Sequence, residues 1–136
     1  MVPIQVEYQG ELHCKAVHGP SGTELNTDAP KDNQGRGESF SPTDLVASGL
    51  GVCMATVMGI TATREGVALE GLTAQIEKHM TSAPPRRIAR IVVRFAMPKA
   101  IPEAKRPILE KAAHTCPVAL SLHPEVVQEV SFGYVD

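Results

Sequence analysis

Hydrophobic and polar positions alternate with a period of two over residues 11–17, where Leu12, Cys14 and Ala16 interleave with Glu11, His13 and Lys15. That spacing predicts a strand with one buried face. Pro20, Ser21 and Gly22 mark a turn, and residues 23–27 follow as a short third strand in a strand-rich first third. The period is then lost across residues 28–39, a polar stretch holding Pro30, Asn33, Gly35 and Gly37 that reads as a loop and a candidate lid or substrate rim. Ser41-Pro42-Thr43-Asp44 restores order, with serine at the N-cap, proline at the first helical position, an acid at N3 in the manner of a capping box, and Phe40 as a candidate staple. The helix it starts runs from residue 42 to about 65 and stops at Gly66, a length of about 35 Å at 1.5 Å per residue.

Beyond that helix the period of two returns. Leu72, Ala74, Ile76 and Met80 alternate with Thr73, Gln75, Glu77 and His79, and Ala89, Ile91, Val93, Phe95 and Met97 alternate with a face carrying Arg90 and Arg94. These are two long strands, joined across residues 81–85 most simply as a hairpin. Ile108, Leu109, Ala112 and Ala113 then recur at helical spacing within residues 102–115, with Pro107 marking a start or a kink. Residues 117–122 form a short candidate helix, Pro124 breaks it, and residues 126–135 alternate as a closing strand. The order of elements predicts an α+β fold with an antiparallel sheet.

Length and composition limit the possibilities. A chain of 136 residues fits one domain spanning 1–136. With no Trp and five Phe and Tyr in all, its core must rest on aliphatic side chains, and stacking on nucleic-acid bases is poorly supplied. A formal charge of -2, with basic residues scattered apart from Arg86, Arg87, Arg90 and Arg94, argues against nucleic acid as a partner. The N-terminus has Glu7 in its first ten residues and no long apolar run, so no secretory signal is read there and a cytoplasmic location is expected. The uncharged run 45–63 has the length of a membrane span, but Ser48, Gly49, Gly51, Thr56, Gly59 and Thr61 dilute it. No membrane association is expected; a helix uncharged all round is buried. It is either the core helix of one subunit or one of a pair across a dimer, where small residues at 47, 48, 49, 51, 55 and 59 would let a second backbone approach.

Three cysteines without a CxxC or Cys/His zinc spacing predict neither a structural disulfide framework nor a metal site, and no cofactor is indicated. Cys14 falls on the apolar face of its strand and reads as packing. Cys53 lies in the apolar Gly51-Val52-Cys53-Met54-Ala55 segment, where burial without a cation would make it inert. Cys116 precedes Pro117, so it stands at an N-cap, where free N–H groups and the helix dipole favour a thiolate. Packing and chemistry remain open for both. His114 and His123 flank Cys116 at spacings that match no ligand pattern.

Taken together, the Ser41-Pro42-Thr43-Asp44-Leu45 helix start, the cysteine in Leu50-Gly51-Val52-Cys53, and His114-Thr115-Cys116-Pro117-Val118 resemble the OsmC/Ohr family of osmotically inducible and organic hydroperoxide resistance proteins, over nearly the whole chain. The resemblance implies an intertwined homodimer whose antiparallel sheets wrap around long central helices. It also implies a thiol peroxidase reducing organic hydroperoxides. In that chemistry Cys53 attacks the peroxide and becomes a sulfenic acid, Cys116 condenses with it to a disulfide, and a dithiol reductant, lipoyl-linked in the best-known branch, restores both. An apolar substrate cavity lined by Met54, Val57 and Met58 is expected around Cys53.

Two departures accompany the resemblance. The peroxidase branch has a glutamate at the position of Thr43, with Asp44 one place later here, and its activating arginine comes from the first strands, whereas residues 1–30 contain none. Arg36, in Gly35-Arg36-Gly37-Glu38, is the expected substitute, folding over the site and pairing with Glu38 or Asp44. Two rivals follow. One makes Cys116 the attacking thiol and Cys53 the resolver; the other is a non-catalytic dimeric small-molecule or thiol-binding protein of the same fold.

Overall fold

Strands β1 (Ile4–Gly10), β2 (His13–His18) and β3 (Glu24–Asp28) pair as a three-stranded antiparallel meander, in a computed structural model that describes residues 1–136 throughout. Glu11 and Leu12 make the first turn, with φ of 52° and 62°, the left-handed pair whose twist suits a tight hairpin. Leu12 therefore leaves the alternation that its sequence neighbours predict, and its N–H donates to the Tyr8 hydroxyl at 3.3 Å. His13 lies opposite Asp28, with its Nδ1 2.7 Å from the buried carboxylate. The aperiodic stretch after β3 contains a single 3-10 turn, Lys31–Asn33.

Helix α1 (Pro42–Arg64) begins as its first four letters dictate. The Asp44 N–H donates to Ser41 Oγ at 3.1 Å and the Ser41 N–H donates to Asp44 Oδ2 at 2.9 Å, which closes the capping box. At its far end Gly66 takes a φ of 68° and the Val67 N–H donates to the Ala62 carbonyl at 2.8 Å, a left-handed stop that glycine adopts without a Cβ penalty. The chain forms two compact units, residues 1–46 and 47–136, and α1 runs from the first into the second. All the buried hydrophobic residues belong to the second unit; in the first, Ile4, Val6 and Tyr8 are 62%, 65% and 63% exposed.

In the second unit, β4 (Thr73–Met80) and β5 (Ile88–Pro98) are antiparallel, and β6 (Val127–Val135) lies parallel to β5. The closing strand thus makes a mixed sheet where an antiparallel one is expected. Its direction follows from the connection: α2 (Arg106–His114) and α3 (Pro117–Ser121) carry the chain back before β6 begins, the long crossover that a parallel neighbour requires. Leu50, Met54 and Met58 of α1, four residues apart, are fully buried against the Ile91, Val93, Phe95 and Met97 face of β5, with Leu109, Ala113 and Cys116 completing the core. Gly51 allows this approach, because a Cβ there would stand 2.3 Å from Ile76 Cδ1. By length and hydropathy α1 passes as a membrane span; here it gives one face to this core and leaves Val52 and Ile60 of another face 63% and 62% exposed.

On the outer face of the sheet Arg87, Arg90 and Arg94 face Glu125, Glu129 and Glu77. Arg94 and then His79 hold the Glu77 carboxyl down at about 2. Three members of the basic cluster are thereby committed to ion pairs, two between neighbouring strands and one between residues that precede β5 and β6.

Candidate active site

Cys53 comes from the middle of α1, next in sequence to the buried Met54, and is half-buried. Cys116 comes from the tight corner between α2 and α3. Its backbone is extended, with φ of -67° and ψ of 147°, as an N-cap before Pro117 requires, and its sulfur accepts the Ala119 N–H at 3.3 Å. Cys116 is fully buried. Cys53 packs against the core cluster that contains Cys116 and acts on its thiol as a near neighbour, so a fold that separates them by more than sixty residues of sequence brings the two side chains to one place.

The electrostatics reverse one expectation. An N-cap position predicts a stabilised Cys116 thiolate, yet burial pushes this thiol upward. The Ala119 and Val118 N–H groups pull the other way, and the neighbouring Cys53 adds to the rise. Desolvation wins because the site is closed off by the core, whereas α3 has only five residues and correspondingly few aligned peptide dipoles to favour an anion. Cys116 is a protonated thiol at neutral pH, held in place by the cap.

The other expected site residues are distributed differently. Met54 and Met58 belong to the closed core rather than to a cavity wall; their four-residue spacing from Leu50 puts them on the buried stripe, and Val57 alone of the three is half-buried. Arg36 pairs with Glu11, at the tip of the first hairpin turn, in place of the expected Glu38 or Asp44. Asp44 uses a carboxylate oxygen to complete the cap of α1, and Glu38 is exposed. Cys14 forms part of the wall of an apolar hollow of about 280 Å³ with Tyr8, Leu12, Pro30 and Pro42, within the first unit. His114 stacks edge-on against Phe132, and His123 accepts the Glu125 N–H through Nδ1.

One residue escaped sequence reasoning. Gln128 of β6 donates its side-chain amide to the Ala119 carbonyl at 3.1 Å. No periodicity or motif announces a bond from a strand side chain to a backbone oxygen nine residues earlier.

The sequence profile of OsmC-like proteins matches residues 35–131. Among solved structures, a candidate osmotic stress induced and detoxification response protein from Psychrobacter arcticus is 41% identical, with a TM-score of 0.91 over 97% of this chain and 96% of that one. An organic hydroperoxide resistance protein OsmC from Legionella pneumophila has the same fold at 16% identity, with a TM-score of 0.77 over 98% and 96% of the two chains. Another organic hydroperoxide resistance protein, from Elizabethkingia anophelis, aligns at 13% identity with a TM-score of 0.79 over 99% and 96%. No protein of curated function matches the sequence.

Proposed function

Because the chain belongs to the OsmC-like protein family, we propose that it is a thiol peroxidase reducing organic hydroperoxides, with Cys53 as the attacking thiol and Cys116 as the resolving one. The placing of Cys53 beside the core cluster that holds Cys116, near enough to act on its thiol, carries this reading. The Cys53 thiolate attacks one peroxide oxygen, the O–O bond breaks, the alkoxide leaves and takes a proton to become an alcohol, and Cys53 is left as a sulfenic acid. Cys116 then attacks the Cys53 sulfur; the S–S bond forms, the S–O bond breaks, and hydroxide takes the Cys116 proton and leaves as water. An external dithiol reopens the disulfide by exchange.

Exposure supports this division of labour over its reverse. Cys53 is half-buried, while Cys116 is closed off and its thiol is pushed up by burial, which makes it a poor first nucleophile and a suitable second one. The names of the Legionella and Elizabethkingia proteins, organic hydroperoxide resistance proteins both, agree with a peroxide substrate. Val57 is the candidate contact for the organic group.

The same reading makes the protein a cytoplasmic homodimer. Ile4, Val6 and Tyr8 along one face of β1, and Val52 and Ile60 on α1, leave apolar side chains uncovered that a second copy of the chain would bury. A sedimentation measurement returning a monomer at micromolar concentration would overturn this part. The chemistry is tested by treating Cys53→Ser and Cys116→Ser proteins with cumene hydroperoxide and a sulfenic-acid trap. Label on Cys53 in the Cys116→Ser protein is the expected result, and label confined to the Cys53→Ser protein reverses the roles.

A further inference from the structure

The cap that holds Cys116 is itself tied to the sheet. Helix α3 has five residues, so its last carbonyls find no partner within it. One of them, on Ala119, receives the Gln128 side-chain amide at 3.1 Å. The N–H of that same peptide group belongs to Leu120 and donates to the Cys116 carbonyl at 3.1 Å, while the Ala119 N–H donates to the Cys116 sulfur at 3.3 Å. Cys116 is thereby fixed at its carbonyl and at its sulfur by residues 119 and 120, and these are fixed to β6 by one side chain. Gln128 in turn is opposite Ile91 of β5, which is fully buried. Two of these bonds, Gln128 to the Ala119 carbonyl and the Leu120 N–H to the Cys116 carbonyl, run in series through one peptide group and polarise one another; the bond to the sulfur comes from the preceding peptide group.

We propose that Gln128 is a positioning residue for Cys116: by anchoring the Ala119 peptide to β6, it holds the resolving sulfur against Cys53 in the orientation from which the disulfide closes. The proposal rests on the reading that these two cysteines form a disulfide. Closure requires the sulfurs to meet at about 2.05 Å with a restricted dihedral angle, so an unanchored α3, free to turn its N-cap residue away, lowers the effective concentration of one thiol at the other. The bond that forms is Cys53 Sγ to Cys116 Sγ, and the oxygen lost from the Cys53 sulfenic acid departs as water with the Cys116 proton. Gln128 exchanges no proton and touches no reacting atom.

Gln128→Met keeps the side-chain length without a donor, and Gln128→Glu keeps the shape but opposes the Ala119 carbonyl with an acceptor, so two variants guard against one failing to fold. The first readout is the dithiol–disulfide equilibrium of the whole protein in a dithiothreitol redox buffer, which requires no peroxide. Both variants are expected to form the disulfide about tenfold less favourably, a potential about 30 mV higher. The second readout is rapid-quench mass spectrometry with cumene hydroperoxide. Formation of the Cys53 sulfenic acid should stay within about twofold of the unmodified protein, while closure to the disulfide slows about tenfold and the trappable acid accumulates. An unchanged potential in a folded variant, or a redox buffer that never closes the disulfide in the unmodified protein, overturns the proposal. Failure of Cys53 to react with peroxide in the unmodified protein would instead defeat the peroxidase reading, and the shift in potential would still decide the role of Gln128.

Discussion

The starts of α1 and α3 share one geometry. In each, proline occupies the first helical position and the residue before it is buried. In each, that residue accepts the N–H three places on: Asp44 to Ser41 Oγ at 3.1 Å, and Ala119 to Cys116 Sγ at 3.3 Å. The difference lies in what closes the arrangement. At α1 the Asp44 carboxylate returns a bond to the Ser41 N–H, and the corner is locked by its own four residues. At α3 the third position is an alanine, no carboxylate closes the box, and the outside anchor is Gln128. A hydroxyl in the first setting is structural; a thiol in the second is held but remains free to react. The pair also teaches that an N-cap does not by itself acidify a thiol, since burial outweighs the cap at Cys116.

Exchanging the cap atoms breaks the comparison most sharply. Cys116→Ser preserves the acceptor, because serine is among the preferred N-cap residues, so the stability of the reduced protein in urea should stay within about 1 kcal/mol of the unmodified protein. The disulfide should vanish altogether, leaving the Cys53 sulfenic acid to persist or over-oxidise, as intact-mass spectrometry after peroxide treatment will register. A large loss of stability would mean that Cys116 serves the core more than the chemistry.

The pH dependence follows from the same thiol. Its native value lies above that of the unfolded chain, so the native state keeps a proton that the unfolded state releases. The associated stability is fully present below the ordinary thiol range and is lost as pH rises through the native value. Urea midpoints of the reduced protein should therefore fall in alkaline solution, and any stability advantage of the unmodified protein over Cys116→Ser, which lacks the titrating thiol, should shrink over the same range. At neutral pH, native alkylation should label Cys53 and leave Cys116 unmodified; equal labelling would show that Cys116 is neither closed off nor protonated.

The contrast between the two corners also explains what was legible in the sequence. Ser41 to Asp44 form a local device, and the start of α1, its Gly66 stop and the alternating strands β4 and β5 can all be read from neighbouring letters. Alternation fixes which face of β6 points inward but carries no information about direction, so its parallel pairing was hidden. Leu12 continues the alternation in sequence but is turned out of it by a turn whose two central residues, Glu11 and Leu12, are left-handed without being glycine. Nearness to Cys53 suggests cavity lining for Met54 and Met58, although their spacing from Leu50 marks them as core. The two candidate cysteines were named from their local settings. The partner of Arg36 and the role of Gln128 have no such local signal, since Arg36 reaches back 25 residues to Glu11, and Gln128 nine to Ala119.

Smaller effects sharpen the comparison from the α1 side. Ser41→Ala removes the acceptor for the Asp44 N–H in a buried corner and should cost about 1–2 kcal/mol of stability, with the rate of Cys53 oxidation unchanged. Asp44→Asn should cost less, about 0.3–1 kcal/mol. An asparagine oxygen can still accept the Ser41 N–H, so the bond is weakened rather than lost, and what disappears is mainly the negative charge at the positive end of a 23-residue helix. That charge is partly buried and sits in the first turn, where the dipole acts most strongly. Urea unfolding of the two variants side by side tests the ordering. If Asp44→Asn proves the more damaging, the carboxylate is doing more than closing the cap, and the likeness between the two helix starts would end at the shared proline.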